Sequence, residues 1–167
     1  MLVENIKNQG IQKIINDLMA TVIDVDGVGI AAPQVYQSVR LFIIASSPSP
    51  RYPNAPKMKP TAIINPTIVS TSSDKLKDWE GCLSVPGIRG LIPRYTSIIV
   101  EYTTRDGERK KRKFKDFVAR IFQHEHDHLE GLVFLDRLES NKDIVSEKEY
   151  QRIIKKQKAK TERKKSK

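Results

Sequence analysis

The stretch FVARIFQHEHDHLE, residues 117–130, determines what fold and what chemistry we expect of this chain. Its apolar residues recur at helical spacing, Asp116 can cap its start, and Gly131 is a typical residue just beyond a helix end. His124 and His128 are four residues apart, so a helix places both imidazoles on one face, where they can bind the same ion. The chain has 3 histidines and all lie in this stretch, which favours a metal site over a chance match.

The other polar residues of this stretch differ in their angle around the helix. Glu125 lies about 100° from His124, close enough to flank a bound ion and to take a proton from water. His126 is about 200° away and is expected at the surface or in contact with a ligand residue, rather than as a ligand itself. Asp127 could orient one histidine through its ring N–H, or it could equally pair with a lysine.

A hydrolytic metal site needs a third protein ligand and a position for water. The chain's single cysteine, Cys82, is the candidate. A lone cysteine is more often a small buried hydrophobe, but as a thiolate it would complete a His₂Cys set suited to Fe(II), Zn(II), Co(II) or Ni(II). Attack on a carbonyl also creates an oxyanion, which fixed donors stabilise. Either Gln34 or the backbone N–H of Leu83 could serve, although spacing alone makes Gln34 an ordinary polar loop residue.

The first half of the chain predicts one helix and several short extended segments. Apolar residues between Ile11 and Ile23 recur at helical spacing, and the helix should end near Asp26-Gly27. Residues 27–35, GVGIAAPQV, indicate a turn and a short extended segment, and residues 40–45, RLFIIA, indicate a strand. The proline-rich residues 46–60 predict a loop.

The second half predicts strands before the histidine-bearing helix. Residues 61–65 and 66–71 indicate two strand-like runs, and a polar connection then leads to EGCLSVPG, which we interpret as a turn. Asp106-Gly107 predicts the turn of a hairpin whose second arm, RKKRKFKDF, is so basic that it should lie at a sheet edge. The order of these elements predicts an α+β fold.

Most of the basic charge belongs to the C-terminal segment. The formal net charge is +10, and residues 147–167 carry +7 of it, which weakens any claim that the folded body binds nucleic acid. Ser146 and Glu149 form a capping-box pattern ahead of a last helix. We therefore predict a catalytic domain over 1–146 and a basic helix and tail over 147–167. This segment could simply solubilise the protein, or it could bind RNA phosphates.

Three segments together resemble the peptide deformylase family. They are GVGIAAPQ at 27–34, EGCLS at 80–84 and HEHDH at 124–128, in the family's order. The resemblance implies mixed, mainly antiparallel sheets packed around a central metal-binding helix, with helices at the N- and C-terminal ends. It also implies hydrolysis of the formyl group from the N-terminal formyl-methionine of new polypeptides, releasing formate.

The resemblance further implies a role for each matching residue. Cys82, His124 and His128 would bind the metal, Glu125 would act as general base, and Gln34 with the Leu83 N–H would hold the formyl oxygen. Gly29 and Arg89 would lie near the substrate peptide, and Glu80 would brace the cysteine loop with Arg94. Val28 and Ile121 would line a pocket for the methionine side chain.

The resemblance also suggests the cofactor, the partners and the location. The expected metal is Fe(II), with Zn(II), Ni(II) or Co(II) as substitutes. The nascent formylated polypeptide is the expected partner, joined by the ribosome and its rRNA if the basic tail binds there. No membrane partner is expected, because no apolar run approaches the length of a membrane helix, and the expected location is the cytoplasm, or an organellar matrix in a eukaryote.

Two other functions remain open on the residues alone. An HExxH zinc endopeptidase usually takes its third ligand downstream of the helix, where this chain has no further histidine. A non-enzymatic ribosome-associated metal protein would normally fill all four metal positions with protein ligands, and only three are evident.

Overall fold

The computed structural model describes residues 1–49 and 52–165. Within these residues, three α-helices and eight strands follow the order expected of an α+β fold. The helices are α1 (Gln9–Asp24), α2 (Asp116–Leu129) and α3 (Glu147–Lys165), and the strands are β1 (Gly29–Ala31), β2 (Leu41–Ser46), β3 (Met58–Thr71), β4 (Lys75–Cys82), β5 (Val85–Tyr95), β6 (Ser97–Thr103), β7 (Arg109–Lys115) and β8 (Ile144–Ser146).

The described chain divides into two compact units, residues 1–76 with 94–132 and residues 77–93 with 133–167. The first unit holds α1, α2 and a five-stranded sheet in the order β1-β2-β3-β6-β7, and the paired strands of this sheet run antiparallel. The predicted α+β class with antiparallel sheets is therefore confirmed. The boundary that we predict between 146 and 147 stays a prediction.

The core of the first unit explains why β2 is apolar along its whole length. Leu41 and Ile43 pack in one hydrophobic cluster with α1, and Phe42 and Ile44 pack in another with α2. Every residue of β2 is buried, because helices cover both faces of the sheet at this strand. The sheet and α1 therefore hold α2 in place, with its histidines at the end of a packed helix.

The second unit contains a three-stranded sheet in the order β4-β5-β8 and the start of α3. β8 pairs antiparallel with residues 88–90 of β5. Trp79 of β4 packs against Tyr150 of α3 with ring centroids 5.7 Å apart. The Ser146 hydroxyl accepts from the Glu149 N–H at 3.3 Å, which is one of the two bonds of the predicted capping box.

The strands around the cysteine are the largest departure from the prediction. Residues 75–82 were expected to be a polar connection and a turn, but they form β4, and β5 follows after only two residues. Pro86 and Pro93 argue against a strand at β5, but both lie outside the three residues that pair with β8. The expected turn is confined to Leu83 and Ser84 between the two strands.

Three smaller expectations also need correction. The two predicted runs at 61–65 and 66–71 form one strand, β3, whose register shifts between Ile64 and Thr67, where Asn65 adopts a φ of 49°. The loop predicted over 46–60 gives way to β3 at Met58, and residues 50–51 lie outside the described residues. Asp116 does not cap α2 from outside: Lys115 occupies the N-cap and makes no side-chain cap bond.

Two predicted turns are confirmed. Gly107 has a φ of 89° in the β6–β7 hairpin, and Gly131 has a φ of 75° just after α2, both in the left-handed region that glycine adopts readily. β7 lies at the end of its sheet, as its charge predicted.

In the described part of the chain, no helix has the length and apolar character needed to cross a membrane.

Candidate metal centre

Three candidate ligands converge in the structure. His124 and His128 lie one turn apart on α2, with ring centroids 5.1 Å apart, and Cys82 ends β4. One ligand atom from each residue, the sulfur and two ring nitrogens, lies within 4.8 Å of the others. One thiolate and two imidazoles form a donor set that suits Fe(II), Zn(II), Co(II) or Ni(II).

The sulfur of Cys82 has a backbone donor beside it. The Ser84 N–H donates to Sγ at 3.4 Å across the two-residue turn between β4 and β5. An N–H donor favours the thiolate over the thiol, because it stabilises the negative charge. The turn also places Leu83 in solvent, with 61% of the residue exposed, and its N–H lies next to the cysteine in sequence.

Glu125 is buried and lies against the backbone of β1. A Cβ atom added to Gly29 would come within 2.4 Å of the Glu125 carboxylate oxygen Oε1. Because Gly29 has no side chain, the Glu125 carboxylate can occupy the space beside it. This gives the glycine a role that spacing in the sequence does not reveal.

Gln34 is held in a short 3₁₀ helix, Ala32–Val35, that follows β1. Its Oε1 accepts from the Ala31 N–H at 2.9 Å. Because the amide oxygen faces its own backbone, Nε2 is the end of the side chain that can donate to another group. This local bond gives Gln34 a fixed orientation that an ordinary loop glutamine would lack.

The C-terminal half of α2 carries a buried ion pair. Arg94 Nη1 lies 2.6 Å from Asp127 Oδ2, and their side chains are 5% and 6% exposed. The sequence predicts a histidine or a lysine as the partner of Asp127, whereas the structure pairs it with this arginine. The Arg94–Glu80 contact implied by the resemblance stays a prediction, and Glu80 is buried.

Two further side chains of α2 have structural roles. Gln123 accepts from the Tyr95 N–H at 3.1 Å and donates to the Tyr95 carbonyl at 3.0 Å, which fastens the helix to the chain next to Arg94. Sequence reasoning missed this role, since a glutamine beside a histidine gives no signal for a distant backbone partner. His126 stacks on Phe122 with an interplanar angle of 16°, and its side chain is only 18% exposed, so it is less exposed than a surface residue.

The predicted substrate residues lie in two places. Ile121 is buried in the hydrophobic cluster that contains Phe42 and Ile44, and Val28 is partly buried against the same cluster, so both predicted pocket residues belong to one apolar region. Arg89 donates from Nε to Glu147 Oε2 at 2.6 Å, and its guanidinium lies 5.1 Å from the Tyr150 ring centroid. The first turn of α3 therefore holds Arg89, a contact that the sequence analysis did not foresee.

The chain matches known proteins over most of its length. The Polypeptide deformylase family matches residues 1–143. A relative named Peptide deformylase 2 from Nostoc sp. is 60% identical over 152 residues, which cover 91% of this chain and 85% of that protein. Another Peptide deformylase 2, from Shewanella oneidensis, is 46% identical over 76% of this chain and 70% of that protein.

Solved structures lead to the same family. A class I type b peptide deformylase from Acinetobacter baumannii bound to Met-Ala-Ser has a TM-score of 0.77 and 45% identity, covering 78% of this chain and 82% of that chain. A peptide deformylase from Synechococcus elongatus in complex with actinonin has a TM-score of 0.74 and 31% identity, covering 86% of this chain and 72% of that chain. The endopeptidase and non-enzymatic alternatives are thereby set aside, and the chain belongs to the peptide deformylase family.

Proposed function

We propose that the chain hydrolyses the formyl amide at the N-terminal formyl-methionine of nascent polypeptides, with Cys82, His124 and His128 holding one divalent metal ion. The observation that carries this assignment is the convergence of one sulfur and two ring nitrogens within 4.8 Å of one another. Fe(II) is the ion that we favour, with Zn(II), Ni(II) or Co(II) able to replace it. When bound, such an ion lowers the pKa of water and polarises the carbonyl under attack.

Glu125 is proposed as the general base and then the general acid. Its carboxylate takes a proton from the attacking water and passes it to the amine nitrogen as the C–N bond breaks, so that formate and a free N-terminus are released. Because this carboxylate is buried against Gly29, its position is fixed. A group held in place in this way loses little freedom when the reaction begins.

The formyl oxygen becomes negatively charged during the attack and needs donors. We assign them to the Nε2 amide of Gln34 and the backbone N–H of Leu83. The bond between Gln34 Oε1 and the Ala31 N–H supports this, because it turns the donating end of the amide away from its own backbone. Glu80 is buried near the end of β4 and would brace the turn that follows Cys82.

β1 offers an edge on which an extended peptide could pair. It comes first in the five-stranded sheet and pairs with β2 alone among the described strands. A substrate peptide could therefore add to this edge through backbone hydrogen bonds at Gly29. Val28 and Ile121 would receive the methionine side chain, and Arg89 would contact the peptide beyond it.

Formate release tests the reaction directly. Purified protein is incubated with a formyl-Met tripeptide, and formate is measured for the wild type, Glu125→Gln and a control, Glu130→Gln, which alters an exposed glutamate of the same helix end. We expect Glu125→Gln to lose a factor of about 10² or more, the usual contribution of acid–base catalysis. Equal rates for the wild type and Glu125→Gln would contradict the proposed base.

Metal analysis tests the ligands separately from the activity. Protein purified without oxygen should contain about one metal ion per chain in the wild type, and His124→Ala and Cys82→Ser should each lose most of it. His126→Ala is the matched control, because that ring stacks on Phe122 and should leave the metal content unchanged. Full metal content in Cys82→Ser would exclude the sulfur as a ligand.

The setting of the reaction is also part of the proposal. We infer that the protein acts in the cytoplasm or an organellar matrix, and that the basic segment 147–167, following the catalytic segment 1–146, contacts ribosomal RNA. The +7 charge of this segment supports the contact. Co-sedimentation with ribosomes over a salt series, compared with Lys155→Gln/Lys156→Gln, checks it, and unchanged binding by the variant would count against the segment.

A further inference from the structure

The β7 strand is a second basic segment, separate in sequence from the C-terminal helix. Six of its seven residues are lysine or arginine, and only Phe114 is apolar. Phe114 is partly buried, and the six basic residues are all exposed. The strand lies at the end of the five-stranded sheet, beyond β6.

The register with β6 separates the cations of β7 into two faces. Lys110, Arg112 and Phe114 lie opposite Tyr102, Val100 and Ile98, which are buried, so this face is the core side. The remaining residues of β7 share the other, outer face, opposite β6 residues that are exposed or half-buried. These four outer residues are Arg109, Lys111, Lys113 and Lys115.

The outer face therefore carries a row of evenly spaced positive charges. Alternate residues of a strand are about 6.8 Å apart, since each residue rises about 3.4 Å. Lys111 pairs with Glu101 at 3.0 Å. Among the side chains that the structure describes, none forms an ion pair with Arg109, Lys113 or Lys115. We call the row of Arg109, Lys111, Lys113 and Lys115 the β7 basic row.

A structural explanation accounts for part of this pattern. Lysine at a sheet edge discourages pairing with another chain. That purpose needs a charge at the edge, but it does not need four cations in line on one face, where like charges repel one another. The row is also poorly matched to a single small anion, because its charges extend along the whole strand.

We propose that the β7 basic row binds the phosphate backbone of RNA. A line of regularly spaced cations on an exposed, extended strand suits a polyanion whose charges also repeat regularly. RNA rather than another polyanion follows from the proposed function, on which this choice rests: the substrate is the N-terminus of a newly made polypeptide, which emerges from an RNA-rich particle. The contact is to phosphates, so it would not depend on base sequence.

The test compares two variants with the same loss of charge. The triple variant Arg109→Gln/Lys111→Gln/Lys113→Gln removes three cations of the row and leaves Lys115, the N-cap residue of α2, in place. The control variant Lys7→Gln/Lys13→Gln/Lys57→Gln removes three exposed lysines elsewhere in the same unit. Each full-length protein is titrated with a single-stranded RNA oligonucleotide over a series of NaCl concentrations.

We expect the row variant to bind RNA at least about tenfold more weakly than the control variant at low salt. The slope of log affinity against log salt should fall by about 2, because each phosphate contact on a single strand contributes roughly 0.7. Formate release from a free formylated peptide should remain unchanged in both variants, so a failure of the catalytic proposal would be seen independently of RNA binding.

Three results would overturn the proposal. The first is equal RNA affinity and equal salt slope for the two triple variants. The second is aggregation of the row variant with unchanged RNA affinity, which would show that the row only protects the sheet edge. The third is binding to vesicles of anionic phospholipid that depends on the row when RNA binding does not, which would assign the row to a membrane surface.

Discussion

Two carboxylates at the end of α2 differ mainly in their burial. Asp127 lies 2.6 Å from Arg94, and Glu130, three residues later, lies 2.6 Å from Arg40. The first pair is almost fully buried, with 5% and 6% of its side chains exposed, whereas the second shows 25% and 44%. The same contact distance therefore occurs in two very different environments.

The difference shows that the distance between two charges does not by itself determine how much an ion pair stabilises the fold. In water, an exposed pair loses little when it is broken, because solvent takes the place of the partner. In the interior, removing one partner leaves the other charge with no water to replace the lost interaction. The Arg40 guanidinium still acts on its partner, since its hydrogen bond holds the pKa of the Glu130 carboxyl below its ordinary value.

The largest effect is expected from Asp127→Asn. The substitution preserves the size of the side chain but removes the charged carboxylate from a buried ion pair with Arg94, which should lower the free energy of unfolding by about 3 kcal/mol. Chemical denaturation of metal-stripped protein measures this without a contribution from ion binding. Glu130→Gln is the control and should cost less than about 1 kcal/mol. Equal losses in the two variants would remove the distinction drawn from burial.

A double-mutant cycle should sharpen the same comparison. Arg94→Met, Asp127→Asn and their combination should give a coupling energy of about 2 kcal/mol, within the range found for contacting residues. The corresponding cycle with Arg40→Met and Glu130→Gln should give about 0.5 kcal/mol. Denaturation midpoints for all six variants supply both values, and a larger coupling for the exposed pair would reverse the expected order.

High salt should weaken the coupling of the exposed pair more than that of the buried pair, and this effect is smaller than the preceding ones. At about 1 M NaCl the screening length is near 3 Å, so the coupling between Arg40 and Glu130 should fall towards zero. The coupling between Arg94 and Asp127 should keep most of its value, because ions do not enter the interior. Repeating both cycles at low and high salt checks this. If the two couplings declined in parallel, the buried pair would have to be open to solvent.

The sequence predicted α2 well because its signals are local. The spacing of His124 and His128 and the glycine after the helix act within one or two turns, and the structure agrees with them. The strand β2 and the Asp106-Gly107 turn could be predicted equally well, because their signals are also local. Each of these features depends on residues that are neighbours in the chain.

The features that were missed depend on residues far apart in the chain. Arg94 and Asp127 are separated by 33 positions, and Arg89 and Glu147 by 58, so no spacing rule connects them. β4 and β5 were missed because charged residues and prolines obscure their alternation, and only pairing within the sheet makes them strands. The role of Gly29 required the position of Glu125, which a sequence does not supply.

The smallest effect concerns an exposed pair in the β6–β7 hairpin. Lys110 Nζ lies 2.7 Å from Glu108 Oε2, and the hydrogen bond from Lys110 lowers the pKa of Glu108 from its ordinary value of 4.5. A carboxyl whose pKa is lower in the folded than in the unfolded state stabilises the fold above the unfolded pKa, and this contribution is lost as the pH falls through the folded pKa. The difference in denaturation midpoint between the wild type and Glu108→Gln should therefore be slightly positive at neutral pH and should vanish in acid. A difference between the wild type and Glu108→Gln that grew on acidification would mean that Lys110 does not stabilise the ionised form.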